Sequence, residues 1–106
     1  MTTQKTIIFS EILSGLESSV ASMVLGVLAI YMPQLASLAA SDFRIIAANF
    51  RKFLDAALSG TPWGQALADM MTADWNAVSD SAKQAAIDFA EDVATVLEKV
   101  GIIPAP

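Results

Sequence analysis

The chain has no cysteine and no histidine. The first absence removes disulfides, thiolate nucleophiles and sulfur metal ligands, and leaves the redox compartment unread. The second removes the usual general base near neutral pH and the commonest metal ligand. Charge is scarce as well: 16% of residues ionise, against about 25% in ordinary domains, while 55% are hydrophobic. With six cations against eleven acids, too few positive charges share a face to hold phosphates, so nucleic acid is not expected as a partner. At 106 residues the chain makes one helical domain, 1–106, without repeats, low-complexity tracts or linkers.

The charge that is present is unevenly placed. Through Gly60 four cations balance four acids, whereas the remainder carries two cations and seven acids, so the net charge of −5 belongs to the C-terminal part. Between Glu17 and Asp42 there is no acidic or basic residue. A helix of that length reaches roughly 30 Å or more, the thickness of a bilayer core or of a small domain. Its hydropathy lies just on the membrane side of the ordinary cut-off. Pro33 interrupts it, and in a protein surrounded by water a proline ends the helix near Tyr31 or Met32. A kinked span would continue to Ala40. No secretory signal is expected, because Lys5 stands alone and Glu11 and Glu17 precede the apolar run, although Ser37, Leu38 and Ala39 have the form of a cleavage site.

Small residues recur every four positions at Ser10, Ser14, Ser18, Ser22 and Gly26. On one helix they form a shallow groove that a second backbone can approach closely. The opposite side carries bulk: Val20, Val24 and Val27, together with Ile12, Leu16, Met23, Leu28, Ile30 and Tyr31. The segment 6–40 is therefore expected to associate with copies of the chain or to contact lipid, with Ser14, Ser18, Ser22, Gly26, Val20, Val24 and Val27 as the contact residues. The competing expectation is a bundle that buries this helix internally and offers a groove to a partner helix.

The periodicity predicts an all-α fold of about four helices, over 6–32, 42–59, 62–78 and 81–100. Gly15 and Gly26 inside the first suggest close packing. Ser41 and Asp42 start the second, whose stripe of Phe43, Ile46, Phe50, Phe53 and Leu54 ends at Gly60. Thr61 and Pro62 start the third, which carries Trp63, Leu67, Met70, Met71, Trp75 and Val78 and has a break or bend near Thr72. Ser81 and Gln84 have the form of a capping box. In the fourth helix Ala82, Ala86, Phe89, Val93, Val96 and Val100 make a heptad seam, broadened by Ala90 and Leu97, through which the acidic helix is expected to bundle.

Chemistry is thinly represented. Asp88, Glu91 and Asp92 share a helix face where hard cations find carboxylates, but such a face is ordinarily solvated. Asp69, Asp74 and Asp80 lack the glycine and ligand alternation of a calcium loop. The serines have no base to activate them. No enzyme activity, cofactor, metal or small-molecule substrate is expected. Trp63, Trp75 and Tyr31 fit either a membrane interface or a core, and Arg44, Arg51 and Lys52 either anionic lipid or a solvated face.

The Trp-x-Gly turn of the hundred-residue helical hairpins is not met, since Trp63 and Gly64 are adjacent. In composition, a cysteine-free chain with an alanine- and serine-rich apolar helix and a charged C-terminal helix is similar to phage holins and small phage virion proteins. That resemblance implies a structural or pore-like role in a homo-oligomer, on a membrane or within a virion-type assembly.

Overall fold

Five helices account for most of the chain: α1 (Gln4–Ile12), α2 (Ser18–Leu35), α3 (Ala40–Leu58), α4 (Trp63–Met71) and α5 (Asp80–Lys99). The computed structural model describes residues 4–106, apart from the side chains of Gln4 and Thr6, and among these residues there is no strand. The all-α expectation holds, with five helices in place of about four.

The added helix comes from a break in the first predicted one. Helical spacing continues through Ile8, Phe9, Ile12, Leu13 and Leu16, yet the chain turns at Gly15, whose φ is +84°. An L side chain is strained in that region, and glycine enters it freely. A Cβ at Gly15 would meet nothing within 4 Å, so the glycine serves the turn and not close packing. Arg51 Nη1 on α3 donates to the carbonyls of Ile12 and Ser14, supplying partners to the free end of α1.

Beyond the turn α2 runs through Pro33 to Leu35. The proline costs a backbone hydrogen bond, but Ala29, whose carbonyl loses its partner, and Pro33 both lie on the exposed side of the helix. Ordinary helical bonding resumes at once, with the Ala36 N–H donating to Met32 O at 2.8 Å.

Helices α3 and α5 end as the sequence anticipates. Gly60 (φ +102°) and Gly101 (φ +78°) are left-handed, and Thr61 N–H reaches Ala56 O at 3.0 Å while Ile102 N–H reaches Leu97 O at 2.9 Å. Both are Schellman turns. The helix starts differ from expectation. Ala39, not Ser41, precedes α3, and it gives no side-chain cap. Pro62 stands at the cap of α4 instead of inside its first turn. Ser79 caps α5, accepting from the Ala82 N–H at 3.3 Å, and Gln84 turns to Asp88 at 2.9 Å instead of reaching back to Ser81.

The third predicted helix ends at Met71, at the break expected near Thr72, and does not resume as a helix through Val78. Trp75 and Val78 are buried as expected, but from a loop. Asp74 Oδ1 accepts from the Asn76 N–H at 2.9 Å, Asn76 has φ +51°, and Trp75 Nε1 donates to Met70 O at 2.9 Å at the open end of α4. An Asx turn thus takes over from the helix.

Packing places α3 against α1, α4 and α5, while α2 lies along α5. All five phenylalanines meet in the middle: Phe50 and Phe89 are 4.6 Å apart between ring centroids, Phe9 lies 5.4 Å from Phe43, and Phe53 adjoins Phe50. Burying rings of this size is the largest apolar contribution the chain can make. The most apolar helix, α2, therefore sits at the side of the molecule with one principal neighbour.

Candidate interaction surface

Which half of α2 is covered follows from that position. Val20, Val24, Val27, Leu28 and Leu35 are buried toward α5, and the Tyr31 ring stands 5.8 Å from Phe89. The other half carries Ser18, Ser22, Leu25, Gly26, Ala29, Ile30 and Pro33, all exposed. Ile30 is 70% exposed and Leu25 40%. No charge interrupts this face, because Glu17 precedes the helix and Asp42 follows it. A continuous uncharged strip containing exposed branched aliphatics is the kind of surface that contacts use.

The expected contact residues divide between the two sides. Ser18, Ser22 and Gly26 share the open face. Val20, Val24 and Val27 belong to the chain's own core and are not available to a neighbour without opening the bundle. Ser14 leaves the ladder altogether: it lies in the turn before α2, with its hydroxyl donating to Glu11 O at 2.7 Å. Leu25 was not singled out by sequence reasoning and Ile30 was expected on the side opposite the small residues, since the second half of the helix is apolar all round and carries no polar marker for its outer side.

The C-terminal seam is also spent internally. Ala86, Phe89 and Val93 are fully or almost fully buried within the chain, Val96 is half-buried, and Val100 alone of the five is exposed. It forms the core under α2 and α3 and leaves little for a second chain.

Several of the polar residues weighed as lipid contacts or metal ligands have partners here. Trp63 Nε1 donates to Glu98 Oε1 at 2.6 Å, which with the buried Trp75 places both indoles in or against the core. Arg51 binds Asp55 at 2.8 Å in addition to the end of α1. Asp92 accepts a hydrogen bond from the Tyr31 hydroxyl, joining α2 to α5. That bond, with partial burial and the nearby charges of Asp92, Asp88 and Glu91, pushes the tyrosine up to about 12. Among the described residues no group of three acids stands together as a metal site.

One polar residue has no counterpart in the expectations. Asn49 is buried, 5% exposed, on the apolar side of α3. Its signal was legible as a single amide inside the stripe from Ile46 to Phe53. No protein family, curated protein or solved structure matches this chain.

Proposed function

We propose that the protein is a non-enzymatic helical module that packs against copies of itself through the outer face of α2, in a structural role. The observation that carries the reading is Gly26. A Cβ built there meets nothing within 4 Å, so no contact inside the chain calls for glycine, while a mid-helix glycine costs about 1 kcal/mol relative to alanine. A second backbone lying along Ser18, Ser22 and Gly26 gives that glycine a use, because only small residues permit so close an approach. Leu25 and Ile30 flank the line of approach, and covering them removes apolar surface from water. The compositional likeness to phage holins and small virion proteins points the same way, toward a repeating assembly.

Sedimentation of the purified chain without detergent, across a wide concentration range, tests the reading. The expected result is a mass above that of one chain, returned to one chain by Ile30→Glu, which places an unpaired charge in the contact. A wild-type chain that sediments as a single copy at every concentration overturns it. A chain that floats with neutral lipid vesicles and loses its self-association on doing so assigns the face to lipid instead.

A further inference from the structure

We propose that the cleft between α3 and α4 is a binding site for a small uncharged ring compound bearing one N–H donor. The cleft has a volume of about 210 Å³ and walls formed by Phe53, Ala56, Ala66, Met70 and Ala73. Drug-sized ligands occupy roughly 300 to 1,000 Å³, so this space suits one compact ring system.

Asn49 supplies the specificity. Its Nδ2 donates to the backbone carbonyl of Asp74 at 3.0 Å, and because a carbonyl only accepts, this contact fixes which end of the amide is nitrogen. Oδ1 is then the free end, and it accepts no hydrogen bond from any described residue. No fully buried side-chain polar atom among the described residues lacks a partner, so Oδ1 keeps access to solvent. Asn49 lines the cleft, and we infer that the access of its Oδ1 opens there. An acceptor with no protein partner in an otherwise apolar space selects a donor, because a ligand without one leaves the acceptor dry and unpaired.

The mouth selects against net charge. Lys52 on α3 and Asp69 on α4 line the cleft from opposite walls, and their opposite signs offer no field favouring an anion or a cation. An aromatic N–H compound of the indole class meets all three requirements of size, donor and neutrality. The site is independent of the α2 face, so the two readings stand or fall separately.

The test uses three probes with the intact chain: indole, 3-methylindole and 1-methylindole. The last two are isomers, of which only the 3-methyl compound keeps the N–H. Titrations are followed by NMR at the Met70 methyl and the Asn49 side-chain amide. Saturable shifts at both groups are expected with indole and 3-methylindole, and about tenfold weaker binding with 1-methylindole, as the loss of one hydrogen bond to an acceptor that the bound ring closes off from water implies. Ala73→Leu and Ala56→Leu, which fill the cleft from two different elements, are expected to abolish the shifts in whichever variant retains a folded spectrum. Absence of saturable shifts up to the solubility limit of indole overturns the proposal. So does equal affinity for the two isomers, or undiminished binding in a folded cleft-filling variant.

Discussion

Replacing Gly26 separates what the fold needs from what association needs, because the two are expected to move in opposite directions. Within the chain Gly26 lies mid-helix in α2 with open space beyond it. Gly26→Ala therefore adds a methyl without a clash, and it removes backbone freedom from the unfolded state. Both effects stabilise the single chain by about 0.5 to 1 kcal/mol. For a domain of this length that corresponds to a rise of about 4 °C in Tm at the upper end. Association enters the same measurement by mass action, so the melt belongs at concentrations where the wild type is dissociated. In the proposed assembly the effect is expected to reverse: a Cβ at 26 would hold two backbones apart, and Gly26→Leu would wedge them further. The expected pair of results is a higher melting temperature at low concentration and a weaker association constant by sedimentation, graded from alanine to leucine. Two outcomes refute the reasoning. If Gly26→Ala melts lower at low concentration, the chain itself uses the space. If Gly26→Leu sediments like the wild type, the contact does not run along Ser18, Ser22 and Gly26.

The remaining predictions concern the bundle that presents this face. Phe89→Ala removes the ring that meets Phe9, Tyr31 and Phe50 and should cost about 3 to 5 kcal/mol in urea unfolding, whereas Val100→Ala, at an exposed end of the same seam, should stay within about 0.5 kcal/mol. Gly60→Ala should cost about 1 to 2 kcal/mol by thermal melting although the space around it is open, because φ there is +102°; an unchanged Tm would show that the turn tolerates another conformation. Tyr31 loses its proton at about 12 when folded against the ordinary 10, so its contribution is complete below pH 10 and declines as pH rises from 10 toward 12. Tyr31→Phe should flatten that part of the stability profile, and an identical alkaline decline in both proteins would remove the Asp92 bond from the account.

The parts of the fold that were legible in the sequence are those where local chemistry and tertiary packing agree. In α3 and α5 the apolar stripe, the acidic start and the terminal glycine all point to one helix, and each boundary lies within two residues of expectation. Where they disagree, packing prevails. From Ile8 to Val20 apolar spacing runs across Gly15 without a fault, because the residues on both sides enter the same core from two helices. Trp75 and Val78 likewise keep helical spacing with Met71, yet they reach the core from an Asx turn whose signal, Asp74 and Asn76 around a tryptophan, is local and was outweighed by periodicity. The outer face of α2 was half legible: the small residues were visible, but no charge on that helix tells Val24 from Leu25. The α5 seam was legible as a contact without its partner: Ala86, Phe89 and Val93 are buried within the chain, and a stripe of valine and alanine looks the same whichever helix covers it.

The same geometry bears on whether lipid or protein covers α2. By length and composition the helix is apolar enough to span a membrane, and 28% of it is buried against the chain. Moving it into a bilayer exchanges one apolar surrounding for another for Val20, Val24 and Leu28, which gains little. The exchange is not neutral for the partner left behind. Phe89, in ring contact with Tyr31, would lose that cover, and each large side chain returned to water costs about 1.5 to 3 kcal/mol. The Tyr31 bond to Asp92 would break as well, leaving a phenol to find a partner where lipid offers few. Contact through the outer face incurs none of these losses. Leu25 and Ile30 already point outward, Gly26 already leaves room, and the core stays closed. On these terms a second copy would cover the strip at lower cost than insertion of the whole helix into a bilayer, so the proposed association at this face should leave the Tyr31 to Asp92 link intact.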